Sequence, residues 1–185
     1  MILFEGFHGT SLDASKSIVG GQFLKSESRT EWLGHGVYFF VEGISCPLQN
    51  AQDWAICQAW DKENCVNLYD DFGVLKSEIQ LGEDELIDLT CLSGLQAFNA
   101  TKAELYSALM KHGIQLAPQE EHNCILFNFM VDVLEVKAVK HHLYIKNKRE
   151  RRAKLDLNVP NTTVCCLVDL GSIAKTEIVV EGKIK

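Results

Sequence analysis

Two short motifs, about thirty residues apart, constrain this chain more than any other feature of its sequence. An apolar run over residues 1–7 ends in His-Gly-Thr at residues 8–10, and a second apolar run contains Gly-Val-Tyr-Phe at residues 36–39. Because glycine has no Cβ, it lets another molecule approach the backbone closely. His8 offers a ring nitrogen, and Tyr38 offers a flat face and a hydroxyl. Either motif alone is more typical of a turn or a core strand, but together they predict a binding site for a planar ligand that carries a ribose.

In this order and at this spacing, the motifs resemble those of the ADP-ribosyltransferases, in the poly(ADP-ribose) polymerase-like branch (the H-Y-x type). That branch has His-Gly-Ser/Thr on its first strand and Gly-x-Tyr-Phe on its second. The resemblance implies that NAD is bound as a substrate. It implies that His8 bonds a ribose hydroxyl and that Tyr38 stacks on the nicotinamide ring. It also implies that the backbone of Gly9 holds the nicotinamide carboxamide, with Thr10 completing the motif.

Two residues of the next predicted helix extend the same likeness. Asn50 falls where relatives place a serine that also bonds the carboxamide. Trp54 lies where relatives have an aromatic residue, so it is a candidate wall of the nicotinamide pocket, although packing of the helix is the more common role of such a residue. We therefore expect Asn50 and Trp54 to contact NAD.

The third position of the family signature departs from the pattern. Active polymerases have a glutamate at the start of a late strand, which matches residues 161–169 here. A gapless alignment puts Val164 at that position and a shift of one residue puts Thr163 there. Neither is acidic. Glu177 is an acid on the following strand, and it would take part only if the alignment were displaced by a whole strand.

The absent carboxylate has a chemical consequence. Cleavage of NAD passes through a sugar with oxocarbenium character, as glycoside hydrolysis does, and a carboxylate polarises the attacking hydroxyl or stabilises the developing charge. Relatives with an aliphatic residue or threonine there transfer one unit or are inactive. The resemblance therefore predicts a mono-ADP-ribosyltransferase with a protein or nucleic-acid acceptor. A NAD glycohydrolase and a catalytically dead NAD-binding module are the alternatives.

Small stand-alone bacterial domains of this kind often act as toxins or defence effectors. An antitoxin or another inhibitor protein is therefore a conceivable partner.

Composition predicts one soluble domain over residues 1–185. The chain is 46% hydrophobic and 23% charged, which is ordinary for a globular protein. No apolar run approaches the ~20 residues of a membrane helix, and the N-terminus lacks the basic region of a secretory signal. The seven cysteines are scattered without a Cys-x-x-Cys pair, so we expect no metal site and a reducing cytoplasm.

A basic run interrupts an otherwise acidic chain. The net charge is −7, yet residues 146–154 contain six basic side chains. A solvated loop is the better interpretation of this run, and a patch that attracts a phosphate-rich substrate is the functional alternative.

The pattern of apolar residues predicts an α+β fold. Strands are expected at residues 1–7, 36–41, 73–81, 139–145, 163–168 and 176–181. Helices are expected after a cap at Ser11 or Asp13, from Pro47, from a capping box at residues 101–104 to Gly113, and over residues 120–136. The resemblance refines this class to two split antiparallel sheets with flanking helices and the NAD cleft between the sheets.

Overall fold

The computed structural model describes residues 1–112 and 118–184, and all six predicted strands form in that part of the chain. In chain order the strands are β1 (Ile2–Ser11), β2 (Val37–Val41), β3 (Trp60–Asp61), β4 (Val66–Asn67), β5 (Asp71–Leu81), β6 (Leu86–Asp88), β7 (Ala138–Leu143), β8 (Thr162–Leu167) and β9 (Ile173–Lys183). The helices are α1 (Leu12–Gly20), α2 (Pro47–Gln58), α3 (Leu92–His112), α4 (His122–Leu134) and α5 (Lys148–Ala153). Single 3₁₀ turns lie at Glu83–Glu85, Gln119–Glu121 and Leu170–Ser172.

Seven strands of the described residues form one mixed sheet, in the order β6-β7-β8-β2-β1-β5-β9, and β3 and β4 pair separately. All neighbours are antiparallel except β6 and β7, which are parallel. The α+β class is confirmed, but the expectation of two separate antiparallel sheets is not met. The junction between the two halves is nevertheless narrow, because β1 and β2 share only the pairs Gly6↔Val41 and Phe7↔Phe40.

Helices cover both faces of this sheet. Successive side chains of a strand point to opposite faces, and β5 illustrates the division. Phe72 and Val74 belong to the apolar cluster that includes α2, whereas Leu75 and Ile79 belong to the cluster on the α1 side. The core is therefore two layers of side chains, one above and one below the sheet.

Local sequence signals explain where α1 and α2 begin. The Ser11 hydroxyl accepts a hydrogen bond from the Ala14 N–H at 3.2 Å, so Ser11 is the cap of α1. Pro47 occupies the first turn of α2, where its missing N–H has no cost. Both starts agree with the predictions.

Two other predictions of local structure are wrong. Thr101 does not cap a helix: α3 begins at Leu92, and the Thr101 hydroxyl donates to the Ala97 carbonyl of the preceding turn. The basic run is not a plain loop, because α5 forms within it. Asn147 and Glu150 make a capping box there, with the Asn147 side chain accepting from Arg149 and Glu150 N–H groups. Gly113, the expected end of α3, lies outside the described residues.

Candidate functional site

His8 lies at the point where β1 and β2 separate. The ladder between these strands ends at Phe7 and Phe40, one residue before the histidine. The His8 ring replaces the missing backbone contact, with Nδ1 2.9 Å from the Tyr38 carbonyl oxygen. Below it, the rings of Phe23 and Phe39 present their edges at 5.4 and 6.0 Å between centroids. The fork in the sheet therefore holds the imidazole in one orientation.

The contact with Tyr38 also fixes the tautomer of His8. A carbonyl oxygen only accepts, so Nδ1 must carry the proton and Nε2 must present a lone pair. Burial lowers the pKa of His8, and the bond to the Tyr38 carbonyl partly opposes that shift. The ring is thus neutral near pH 7 and offers Nε2 as an acceptor, which suits a ribose hydroxyl as donor.

A cavity of about 390 Å³ opens at this fork, within the ~300–1,000 Å³ of small-molecule sites. It brings together five of the residues predicted for the site, from three strands and one helix. These are His8, Gly9, Tyr38, Trp54 and Val164. The remaining lining comes from Ile145, from Val37, Phe39 and Phe40 of β2, and from the segment between α1 and β2, with Leu24, Ser26, Thr30, Glu31, Trp32 and Gly36.

The Tyr38 hydroxyl holds that segment in place. It accepts from the Leu33 N–H and donates to the Gly34 carbonyl, both at 2.8 Å. Gly34 has a φ of +86°, a conformation that glycine adopts without strain. Burial is the main reason why the pKa of Tyr38 is raised. The hydroxyl is therefore protonated and hydrogen-bonded within the protein, which leaves the ring face of Tyr38 for contact with a ligand.

Two tryptophans stand at the mouth of the cavity. Trp32 is 38% exposed and presents its ring edge-on to Tyr38 at 6.2 Å and to Trp54 at 5.6 Å between centroids. Trp54 also carries the Arg151 guanidinium over its ring at 5.7 Å. Aromatic groups with one open side are suited to stacking on a planar ligand.

Gly9 has a packing role in addition to the predicted ligand contact. A Cβ at this position would lie 1.8 Å from the Ala51 carbonyl oxygen and 3.1 Å from the Ala55 Cβ. Only glycine lets β1 pass this close to α2. The close approach brings Trp54, which lies on α2, to the edge of the cavity.

Three predicted site residues do not line this cavity. Asn50 donates to the hydroxyls of Ser45 and Thr162, each at 2.7 Å, and borders a smaller neighbouring cavity of about 60 Å³. Thr10 continues β1 past the fork, paired with Gly73 of β5. Thr163 accepts from the Ile44 N–H at 3.1 Å.

The structure separates the two candidates for the third signature position. Val164 pairs with Phe40 in the register of β2 and β8 and faces the cavity. Thr163 is fully buried on the opposite face, with its hydroxyl 2.9 Å from His142 Nδ1. Glu177 lies on β9, where it forms ion pairs with Lys175 at 2.7 Å and Lys76 at 3.4 Å. Neither Thr163 nor Glu177 is among the residues that line the cavity.

Glu31 is an acid to which the sequence reasoning gave no catalytic role. It lines the cavity and accepts a hydrogen bond from the Ser26 hydroxyl. Ser26 is itself fixed to Gly36 by two backbone hydrogen bonds of 2.9 and 3.1 Å. The negative charge of Glu31 is a minor contributor to the raised pKa of Tyr38, after burial, Cys166 and the Leu33 contact. A carboxylate therefore reaches the cavity from the segment before β2 instead of from β8.

A metal centre is not apparent in residues 1–112 and 118–184, which contain no group of three or more His, Cys, Asp or Glu side chains placed to hold an ion. The cysteines are all free thiols. Burial raises the pKa of Cys165 to about 12, so this thiol stays protonated. In the same ranges, none of the helices is both long enough and apolar enough to cross a membrane.

Comparison with known proteins gives a limited result. No family model matches the chain. It is similar to an uncharacterized protein of Methanocaldococcus jannaschii, with 31% identity over 86 residues. That match covers 45% of this chain and 36% of the archaeal protein, so the similar region spans about a third of the relative's length.

Proposed function

We propose that this protein is an NAD-dependent mono-ADP-ribosyltransferase that moves one ADP-ribose unit to a protein or nucleic-acid acceptor. The observation that carries the proposal is the single cavity lined by His8, Gly9, Tyr38 and Trp54. In it, an imidazole with an open acceptor nitrogen and a tyrosine ring lie on diverging strands. This pairing is suited to a ribose hydroxyl beside a flat nicotinamide ring.

The transfer breaks one bond of NAD and forms one bond to the acceptor. The bond between ribose C1′ and the nicotinamide nitrogen breaks, with its electron pair going to nicotinamide. An acceptor oxygen or nitrogen then bonds to C1′ and loses its proton. Glu31 is the lining carboxylate suited to take that proton or to stabilise the positive sugar, since the apolar Val164 does neither.

A NAD glycohydrolase is the second candidate, and the same geometry supports it. Water would replace the acceptor, and Glu31 would polarise it in the same way. The catalytically dead module draws its support from Val164, which is 2% exposed and apolar at the third signature position. The role of a toxin or defence effector with an inhibitor protein stays a prediction.

One assay separates these candidates. The purified protein is incubated with NAD labelled in its ADP-ribose part and with a lysate that contains protein and RNA. Label on a macromolecule supports transfer, while free nicotinamide together with free labelled ADP-ribose, and no label on a macromolecule, supports hydrolysis. Saturable NAD binding without either product supports the dead module.

Variants locate the activity. His8→Ala and Tyr38→Ala should abolish the signal, whereas Tyr106→Ala, at a tyrosine that is 47% exposed on α3, should leave it unchanged. Wild-type signals from both site variants would place the activity elsewhere and overturn the proposal.

A further inference from the structure

A second and larger cavity lies beside the NAD cleft. It is a groove of about 850 Å³ between α2, α5 and the end of β9. Its ionisable lining contains four basic and two acidic side chains: Lys148, Arg149, Arg152, Lys183, Asp53 and Glu181. The groove therefore has an excess of positive charge on a chain whose net charge is −7, so it is a local site of attraction for anions.

Three of these cations have no ion-pair partner in the part of the chain that the structure describes. Among the described residues, Arg149, Arg152 and Lys183 form no ion pair with a carboxylate. Nearby Lys146, by contrast, pairs with Asp156 at 3.1 Å. Unpaired guanidinium groups in a concave site are well suited to phosphate, which they bind through two parallel hydrogen bonds.

The groove and the NAD cleft border the same small cavity. The small cavity of about 60 Å³ lies between them and shares lining residues with both. It shares Trp54 and Ile145 with the cleft, and Asp53 and Asn147 with the groove. The groove therefore comes within one residue of the cleft along α2, because Asp53 lines the groove and Trp54 lines the cleft.

We propose that the groove binds the phosphates of a single-stranded nucleic acid, whose base reaches the mouth of the cleft beside Trp54 and Trp32. Single strands are commonly bound by a basic groove that follows the backbone together with aromatic side chains on which bases stack. A duplex buries its bases and would first have to expose one. The proposal that the groove binds nucleic acid depends on the groove alone. The proposal that the base is the ADP-ribose acceptor rests on the proposed function.

The size of the electrostatic effect follows from the number of phosphates contacted. The α2 residues that line the groove run from Gln49 to Ile56, which is about 10 Å at ~1.5 Å per residue, enough for two or three phosphates. For single strands, each neutralised phosphate contributes about −0.7 to the slope of log K against log salt. Removing Arg149 and Arg152 should therefore reduce the magnitude of that slope by about 1.4, which is about 25-fold in affinity at 0.1 M salt.

The test measures the binding of a labelled twelve-nucleotide oligothymidylate and an oligouridylate by fluorescence anisotropy, at several salt concentrations. We expect the full-length wild-type chain to bind both, and Arg149→Gln/Arg152→Gln to lose about 25-fold at 0.1 M salt. Both arginines are exposed, so the variant should fold, which circular dichroism checks. The control Lys16→Gln/Lys102→Gln removes the same charge from α1 and α3 and should stay within about twofold of wild type.

Four results would overturn the inference. The first two are an absence of saturable oligonucleotide binding by the wild type and an equal loss of affinity in the two double variants. The third is an affinity for a duplex of the same length equal to that for the single strand. The fourth is an equal affinity for a polyglutamate peptide, which would indicate a protein partner. A separate NAD titration keeps the two proposals distinct. Oligonucleotide binding without NAD binding would refute the proposed function alone. NAD binding without oligonucleotide binding would refute only the proposal that the groove binds nucleic acid.

Discussion

Tyr38→Phe removes one oxygen atom from the wall of the cavity and leaves the aromatic ring in place. The wild-type hydroxyl accepts from the Leu33 N–H and donates to the Gly34 carbonyl, both at 2.8 Å. Leu33 is fully buried. The change therefore separates two roles of Tyr38, since the phenyl ring can still stack on a ligand but no longer holds the segment before β2.

The cost of the change follows from the two backbone groups that lose their partner. A buried polar group without a hydrogen bond costs about 1–3 kcal/mol, and the adjacent cavity gives water partial access to the two groups. We expect the free energy of unfolding to fall by about 2–4 kcal/mol in total. In a chain of 185 residues this corresponds to a melting temperature lower by roughly 5–15 °C.

Urea denaturation followed by circular dichroism measures the loss, with Tyr106→Phe as the matched control. Tyr106 lies on α3 and is 47% exposed, so its hydroxyl is solvated in both states and the control should match wild type. Equal stabilities of Tyr38→Phe and Tyr106→Phe would refute the reasoning that the Tyr38 hydroxyl holds this segment.

Three further predictions concern the same fork. Gly9→Ala puts a Cβ 1.8 Å from the Ala51 carbonyl oxygen and should lower the unfolding free energy by about 3 kcal/mol or more; wild-type stability in urea would contradict this contact. Glu31→Gln should slow turnover of labelled NAD by about 10²–10⁴-fold with little change in NAD affinity. A rate equal to that of the exposed control Glu27→Gln would show that the Glu31 carboxylate has no catalytic role. Because burial lowers the pKa of His8, the unfolded chain binds its proton more readily, so stability should fall as the pH drops below about 6.5. His8→Asn should lose less unfolding free energy than wild type between pH 7 and 5. The same dependence of stability on pH in both proteins would contradict the lowered pKa of His8.

Much of the fold could be predicted because its signals are local and periodic. The alternation of residues along β5 and the cap at Ser11 identify their elements without knowledge of the rest of the chain. The capping-box pattern at Thr101 misled because a helix already begun at Leu92 continues through it, and the threonine bonds back to the preceding turn. The narrow β1–β2 junction could not be predicted, since it depends on where two distant strands stop pairing.

The site was only partly predictable for a related reason. Val164 and Thr163 differ by one position, and a shift of one residue in a strand moves a side chain to the other face. Only the pairing of Val164 with Phe40 decides which of them faces the cavity. Glu31 was given no catalytic role because it lies in an irregular segment, where no periodicity indicates direction. Its approach to the cavity depends on the bridge between Ser26 and Gly36.

Calorimetric titration of the purified protein with NAD tests the central claim most directly. The claim is that the fork between His8 and Tyr38 is a dinucleotide site. It predicts saturable binding by the wild type, competition by nicotinamide, and loss of binding in a folded His8→Ala variant. Absence of NAD binding by the wild type, or equal affinity in His8→Ala, would contradict the claim.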